Sequence, residues 1–281
     1  MIQSKIKSYA KLNLALNITG KNSSLHKIET LVAFVKLHDQ ILIKEIKSKK
    51  NRILFTGKFS KNIGRKNTVS LLLKVLEKKK LLKNKKFSIK INKLIPNKAG
   101  LGGGSMNAAS VLKYFVKKKI INTTKKELIK ISNLIGSDVI LGLNQRNSIL
   151  NEKYEIKRFI NCKKLYVLIV KPNFGCSTKE IYSKVKEYSK PKFIKPNKKM
   201  FSLDYLKKLG NSLEPIVFSK YSKLKNIKLF LENLSTPEFV RMTGSGSSIV
   251  AYFQSKERCN SALKKFKKNY KNYWCISSKT I

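Results

Sequence analysis

A cluster of glycines marks the part of the sequence best suited to binding an anion. Glycines stand at positions 100, 102, 103 and 104, after a strand-like run that stops at Pro96 and before a segment with helical spacing of apolar residues. Glycine lets the backbone adopt positive φ and approach a ligand closely, and the first N–H groups of a following helix favour negative charge. The pattern is neither a P-loop nor a dinucleotide-binding motif. Phosphate binding and a tightly packed turn are both compatible with it.

Three further features could take part in chemistry. A second loop of small residues covers positions 244–248. Asp138 follows the glycine that ends a predicted helix, where a carboxylate either caps the next helix or accepts a proton from a substrate hydroxyl. Lys11 lies in a predicted strand, and one lysine among 56 carries no functional signal by itself.

The charge of the chain is extreme. Its 281 residues include 62 basic and 15 acidic ones, which gives a formal net charge of +47 and suggests a polyanionic partner. However, only six of the basic residues are Arg, the residue that base-reading proteins favour for its bidentate hydrogen bonds. Lys, Asn and Ile together make up 109 residues, and all three can be encoded by A and T alone. Compositional bias without a specific nucleic-acid partner is the expectation, and selection for a polyanion is the alternative.

Other compositional features restrict the class of protein. Hydrophobic residues make up 42% of the chain, enough for a folded core. The four cysteines form no C-x-x-C pair, so neither a structural zinc nor a redox motif is predicted. No run reaches the roughly 18 apolar residues of a membrane helix, and the N-terminal residues lack the apolar region of a secretory signal. We expect a cytoplasmic protein with no membrane partner.

The periodicity of apolar residues predicts both strands and helices. Strands are expected over residues 5–16, 30–37, 41–43, 87–91, 165–170, 240–242 and 249–253, with a turn over 19–24. Helices are expected over 68–79, 201–213, 222–234 and 256–268, after the glycine cluster, and after the capping box Thr124-Lys-Lys-Glu127. The lysine-rich stretch 184–199, which contains two prolines, is expected to be a mobile loop. This mixture predicts an α/β or α+β fold.

Three separated segments together resemble the galactokinase–homoserine kinase–mevalonate kinase–phosphomevalonate kinase superfamily. The segment Pro96-Asn-Lys-Ala-Gly-Leu-Gly-Gly-Gly-Ser105 is similar to its central motif, and Met242-Thr-Gly-Ser-Gly-Ser247 to its C-terminal glycine motif. Ala10-Lys-Leu-Asn-Leu14, with His26 behind it, is similar to the N-terminal motif of the branch whose acceptor is a cytidine diphosphate alcohol. The three segments stand in the order that the superfamily has.

The resemblance implies a two-domain kinase fold. An N-terminal ribosomal-protein-S5-like, ATP-binding domain is expected over residues 1–155 and a C-terminal ferredoxin-like, substrate-side domain over 156–281, with the active site in the cleft between them. The implied activity is ATP-dependent phosphorylation of the 2-hydroxyl of 4-diphosphocytidyl-2-C-methyl-D-erythritol, in non-mevalonate isoprenoid synthesis. ATP and Mg²⁺ are the implied cofactors, with Mg²⁺ bound mainly through the ATP phosphates and no dedicated metal site. The protein is expected to be a monomer or a weak homodimer.

The same resemblance implies roles for individual residues. Asp138 would accept the hydroxyl proton, and Lys11 would favour the ionised carboxylate and stabilise charge that develops on the oxygen. The implied ATP- and phosphate-binding residues are Asn67 near the adenine, Pro96, Ala99, Gly100, Leu101, Gly102, Gly103, Gly104 and Ser105. The implied substrate-binding residues are Asn13, His26, Tyr182, Gly244, Ser245 and Gly246, with His26 and Tyr182 at the cytosine.

Three positions depart from the superfamily pattern. Met106 stands where a second serine is usual, Leu25 replaces an aromatic residue that stacks on cytosine, and Ile140-Leu-Gly142 replaces Pro-Phe-Phe. Two alternatives therefore stay open. One is a kinase of the same fold that acts on another small alcohol, and the other is a non-catalytic polyanion-binding protein on a decayed kinase fold.

Overall fold

The structure, a computed structural model, describes residues 3–22, 25–234 and 237–281. Ser23 and Ser24 of the predicted turn lie outside these ranges. The chain divides into two units that are each assembled from separate segments. The first unit comprises the residues up to Ala10, Leu37–Asn97 and Gly102–Gln145, and the second comprises Lys11–Lys36, Lys98–Leu101 and Arg146–Ile281. The boundary expected at residue 155 divides the chain into continuous domains, and it stays a prediction.

Ten strands and nine α-helices occur in the described ranges. The strands are β1 Ser4–Lys21, β2 His26–Ile46, β3 Arg52–Thr56, β4 Lys86–Asn92, β5 Asn147–Leu150, β6 Ile156–Phe159, β7 Tyr166–Lys171, β8 Phe239–Met242, β9 Ile249–Phe253 and β10 Trp274–Lys279. The helices are α1 Thr68–Lys78, α2 Gly103–Lys117, α3 Lys125–Ile135, α4 Val139–Gly142, α5 Thr178–Ser183, α6 Leu203–Lys207, α7 Glu214–Lys220, α8 Ser222–Glu232 and α9 Lys256–Asn269, with a 3₁₀ turn at Lys198–Phe201.

The first unit combines strands β3 and β4 and the end of β2 with helices α1 to α4. Strand β4 pairs in parallel with β3 and antiparallel with the Gln40–Ile46 end of β2. Phe87, Ile89 and Ile91 of β4 are buried, the alternation expected of a strand covered on one face. The buried faces of α1, α2 and α3 share one hydrophobic core with these strands.

The second unit contains a four-stranded antiparallel sheet in the order β10–β7–β9–β8. Along the chain its elements follow a β-α-β-β-α-β pattern, because α8 precedes β8 and α9 lies between β9 and β10. This order and strand arrangement are those of a ferredoxin-like fold. Helices α8 and α9 bury their apolar faces against the sheet. The expectation of a ferredoxin-like C-terminal region is confirmed.

Most of the predicted elements are confirmed with small shifts of their ends. The capping box at Thr124 is present, with its hydroxyl accepting from the Glu127 N–H at 3.2 Å and the Glu127 carboxylate accepting from the Thr124 N–H at 3.4 Å. The short strands β3, β5, β6 and β10 and helices α5 and α7 were not predicted, since four to seven residues carry too little periodicity to stand out.

Three sequence predictions were wrong. The strands expected over 30–37 and 41–43 are one strand, β2, because the buried Asp39 between them has hydrogen-bond partners that let it lie inside the fold. The helix expected over 201–213 stops at Lys207, since residues 210–212 hydrogen-bond instead to Leu16 of β1. The stretch 184–199 has the expected lack of strands, but it is held to the second unit by hydrogen bonds and by the fully buried Phe193.

No helix in the described ranges is both long enough and apolar enough to cross a lipid bilayer.

Candidate active site

The glycine cluster opens helix α2 in the way that anion binding requires. Gly102 is the N-cap residue and has left-handed backbone angles, with φ of +66°. Because glycine has no side chain to accept from the first N–H groups of the helix, those of Gly103, Gly104 and Ser105 can donate to an anion. Nearby, the Thr68 hydroxyl donates to the Gly104 carbonyl at 2.7 Å. The start of α1 is therefore tied to the start of α2.

Asn67 is the N-cap residue of helix α1. Its side-chain oxygen caps α1 by accepting from the N–H groups of Val69 and Ser70 at 3.1 and 3.0 Å. Its amide nitrogen donates to the carbonyl of Gly64 at 3.1 Å. The implied contact of Asn67 with adenine stays a prediction, and any such contact would have to coexist with the cap.

A buried carboxylate holds the backbone before the glycine cluster and the helix after it. Asp39 is fully buried and accepts from the backbone N–H groups of Leu94 and Ile95 at 2.7 and 2.8 Å, just before the cluster. Its other oxygen accepts from Asn107 Nδ2 of α2 at 3.0 Å and from the buried Lys93 ammonium. Asp39 thus joins strand β2, the chain that enters the cluster, and the helix that leaves it.

The turn that carries Asp138 lies beside helix α2. Gly136 is the neighbour of Ser105, since a Cβ atom added at Gly136 would lie 3.8 Å from the Ser105 hydroxyl. In this part of the described chain, the partly exposed Asp138 side chain makes no capping hydrogen bond to α4. The helix-cap interpretation of Asp138 is therefore wrong. The role of Asp138 in proton transfer stays a prediction.

In the second unit, Lys11 and Asn13 are neighbours on one face of β1. The Lys11 ammonium donates to Asn13 Oδ1 at 2.6 Å, and both side chains are buried. Asn13 Nδ2 donates to the Thr30 hydroxyl at 2.9 Å, which fixes the orientation of the amide. A buried ammonium interacts strongly with anions because little water screens it.

Two predicted loops meet in the second unit. Gly100 has φ of +71°, and a Cβ atom there would lie 1.9 Å from the Thr243 carbonyl oxygen, so only glycine fits. The Thr243 hydroxyl donates to the Gly100 carbonyl at 3.2 Å and accepts from the Asn13 N–H at 2.9 Å. The Lys11 N–H donates to the Leu101 carbonyl at 3.1 Å. The structure therefore brings part of each predicted motif together.

The remaining predicted residues of these loops have distinct environments. Gly244 also has positive φ, and a Cβ atom there would lie 3.4 Å from Asn13 Oδ1. The Ser245 hydroxyl shares a 2.8 Å hydrogen bond with that of Thr178, and Gly246 packs on Met242 and Cys176. Pro96, Ala99 and Leu101 are buried, so their side chains shape the first loop, and their implied part in ATP binding stays a prediction.

His26 and Tyr182 also lie together, with ring centroids 5.3 Å apart. Burial, and secondarily the charge of Lys21, lowers the pKa of His26 below its usual range. At neutral pH the imidazole is therefore uncharged, and it can both donate and accept a hydrogen bond.

Comparison with known proteins gives the family. A model of the GHMP kinases N terminal domain matches residues 67–149. A relative from Pelagibacter ubique, named 4-diphosphocytidyl-2-C-methyl-D-erythritol kinase, is 57% identical over 99% of each chain. A relative of the same name from Clostridium tetani is 33% identical, over 99% of this chain and 100% of its own. This chain belongs to the 4-diphosphocytidyl-2-C-methyl-D-erythritol kinase family.

Solved structures agree on the fold. A crystal structure of 4-(cytidine 5'-diphospho)-2C-methyl-D-erythritol kinase superposes with a TM-score of 0.79 at 22% identity, covering 98% of this chain and 99% of its own. Homoserine kinase from Cytophaga hutchinsonii superposes with a TM-score of 0.73 at 16% identity, covering 99% and 94%. The predicted superfamily fold is confirmed. The chain is an ATP-dependent kinase, which replaces the non-catalytic alternative.

Met106, the departure from the family pattern next to Ser105, is explained by packing. Its side chain is fully buried, and a Cβ atom added at Gly142 would lie 2.9 Å from its sulfur. The same Cβ would lie 2.6 Å from that of Ala109. Thus a large residue on α2 faces a glycine on α4, and the two departures from the pattern fit each other.

Sequence reasoning missed the residues that support the site. Asp39 belongs to no motif. Asn211 begins a segment, residues 211–214, that resembles a pattern of the superfamily but gave no supporting role. Yet the Asn211 amide holds the second loop by donating to the carbonyls of Met242 and Gly244 at 2.9 and 2.8 Å. A signal did exist for Asp39, since an acid that stands between two apolar runs of a strand needs hydrogen-bond partners if it is buried.

Gly100→Ala should destabilise the protein and weaken ATP binding. The added methyl group cannot share space with the Thr243 carbonyl, so the loop must move, at a cost of about 1–3 kcal/mol in the free energy of unfolding. Urea unfolding and the KM for ATP measure the two effects. Gly210→Ala is the control, because no atom lies within 4 Å of a Cβ added there. Equal stability of the two variants would contradict this explanation.

Asp39→Asn should remove about 3 kcal/mol from the free energy of unfolding, since it leaves the Lys93 ammonium buried without its counter-charge. The double variant Asp39→Asn with Lys93→Met removes both charges and should lose less than the sum of the single changes. A double-mutant cycle in urea measures this coupling. Glu45→Gln, which breaks the exposed pair with Lys85, is the control and should change stability by less than about 1 kcal/mol. Additive single effects would refute the buried pair as a coupled unit.

Proposed function

We propose that this chain transfers the γ-phosphoryl group of ATP to the 2-hydroxyl of 4-diphosphocytidyl-2-C-methyl-D-erythritol, a step in isoprenoid precursor synthesis. The observation that carries the proposal is the 57% identity, over 99% of both chains, to a relative named for this reaction. A glycine cluster that opens α2 in the left-handed conformation supports it independently.

In this proposal the glycine cluster holds the phosphates of ATP. The N–H groups of Gly103, Gly104 and Ser105 donate to phosphate oxygens, and the dipole of the 15-residue helix α2 adds to the attraction. Phosphoryl transfer depends mainly on positioning and on neutralising charge. The buried support from Asp39 serves this purpose because it fixes the backbone on both sides of the cluster.

Asp138 is proposed to act as the general base. It accepts the proton of the 2-hydroxyl while the substrate oxygen forms a bond to the γ-phosphorus and the bond from that phosphorus to the bridging oxygen of ADP breaks. Lys11 is proposed to stabilise the negative charge that develops on the substrate oxygen. Asn13 keeps the Lys11 ammonium in place through its 2.6 Å hydrogen bond.

Mg²⁺ is proposed to bind mainly through the phosphates of ATP. In the described ranges no three His, Cys, Asp or Glu side chains come together. Mg²⁺ usually keeps several waters and needs only one or two protein contacts, so binding through the ATP phosphates suits this ion. When bound, Mg²⁺ neutralises charge on the transferred phosphoryl group. The net charge of +47 also attracts both ligands, because ATP and the proposed acceptor are both anionic.

Asp138→Asn should lower kcat by about 10²–10⁴-fold, because the amide cannot accept the proton. The Kd for a non-hydrolysable ATP analogue should stay unchanged. A coupled assay for ADP release and calorimetric titration measure the two quantities. Asp204→Asn, a change of an exposed aspartate on α6, is the matched control. Turnover of the Asp138 variant equal to that of the control would remove the base assignment.

Lys11→Met should also lower kcat strongly, with a smaller effect on the KM for ATP, since the charge acts on the transition state. Lys7→Met changes an exposed lysine on the same strand and should match the unmodified protein. Assays with homoserine and mevalonate as acceptors test the alternative substrates. Turnover of either in preference to the cytidyl alcohol would overturn the proposed acceptor and leave the kinase assignment standing.

A further inference from the structure

A third aromatic ring accompanies His26 and Tyr182 in the second unit. The ring of Tyr188 has its centroid 6.4 Å from that of His26, with an angle of 48° between the planes. Tyr188 is 46% exposed, and His26 and Tyr182 are each partly exposed. The three rings therefore form an aromatic cluster with solvent access, in which His26 contacts both tyrosines.

The backbone around Tyr188 is held on both sides. Before it, the Val185 N–H donates to the Tyr182 carbonyl at 3.2 Å. After it, the Ser189 N–H donates to the Ile18 carbonyl at 2.8 Å. Only two residues separate Tyr188 from the first of these anchors, so the backbone that carries the ring is fixed beside the cluster.

The rest of the segment is fixed by a buried acid. The carboxylate of Glu29, fully buried on β2, accepts from the N–H groups of Lys192 and Phe193 at 2.7 and 2.9 Å. It also accepts from Asn17 Nδ2 at 2.8 Å. Since Glu29 lies three residues after His26 on the same strand, one element positions both the imidazole and the segment that carries Tyr188.

The cluster has the chemistry that a pyrimidine base needs. Aromatic side chains stack on a base with a contribution of about 1–3 kcal/mol each, and an uncharged imidazole offers a donor and an acceptor to the base edge. Lys21, close enough to act electrostatically on His26, supplies positive charge for attached phosphates. Leu25 directly before His26 is 67% exposed and has no ring to stack.

We propose that Tyr188 is a specificity-determining residue that stacks on the cytosine ring of the substrate and supplies the aromatic face that Leu25 cannot. This inference rests on the proposed function, because it takes the cytidine diphosphate alcohol as the ligand. It adds to that function a residue outside all three sequence motifs. Tyr182 and Tyr188 provide aromatic surface, and His26 between them provides hydrogen bonds.

The test compares Tyr188→Ala with Tyr188→Phe. Loss of the ring should raise the KM for the cytidyl alcohol about 5- to 160-fold, the range that corresponds to the stacking contribution of one base, with kcat and the KM for ATP changed less than twofold. Phenylalanine keeps the ring and should restore the KM to within about threefold. Tyr154→Ala, at another exposed tyrosine of the second unit, is the matched control. A KM for the cytidyl alcohol within twofold of the control would overturn the proposal, as would an equal rise in the KM for ATP.

Binding of CDP, measured by calorimetry without ATP, separates this proposal from the proposed function. If the unmodified protein binds CDP and Tyr188→Ala binds it at least fivefold more weakly, the base pocket stands even where the cytidyl alcohol is not phosphorylated. If both proteins bind CDP equally while the alcohol is phosphorylated, the kinase function stands and the role of Tyr188 falls. A melting temperature of Tyr188→Ala equal to that of Tyr188→Phe shows that the ring acts on the ligand and not on the fold.

Discussion

The first unit depends on one buried negative charge. Asp39 is enclosed in the hydrophobic interior, where an unpaired carboxylate would be strongly unfavourable. Four donors from the chain before the glycine cluster and from helix α2 meet it, and one of them is the ammonium of Lys93. Because the charge requires all of these partners, the backbone that leads into the cluster and the helix that follows it have a single arrangement. A loop of glycines, which is flexible by itself, is thereby held between two fixed ends.

A different constraint acts in the second unit, where two chain segments approach each other without room for side chains. Gly100 and Gly244 both have positive φ and lie against each other's loops. Asn13 completes this arrangement, since its backbone binds Thr243 and its side chain binds the Lys11 ammonium. These residues lie far apart in sequence, from position 11 to position 244, and they are joined by hydrogen bonds to the main chain of the two loops and by the Thr243 hydroxyl. The close approach of the two loops explains why each has glycine where they meet, at Gly100 and Gly244.

Helices and strands whose sequence signal lies within a few neighbouring residues could be predicted from the sequence. The capping box at Thr124, the spacing in α1 and the alternation in β4 each depend on neighbours within a few residues. The continuity of β2 could not, because it depends on partners of Asp39 that lie more than 50 residues away. The glycine motifs identified the loops of the candidate site, yet Asp39 and Tyr188 belong to no motif, and the resemblance of residues 211–214 to the superfamily gave Asn211 no role. Supporting residues are recognised by what they contact, and contacts are a property of the folded chain.

The manner in which Glu29 holds residues 192 and 193 has an evolutionary consequence. Both donors are main-chain N–H groups, which every residue except proline possesses. The attachment therefore does not depend on the side chains of the segment, and a mutational bias toward A and T can replace them with lysine without detaching the chain. A lineage under strong compositional pressure can thus keep the backbone geometry of this region while its surface side chains change.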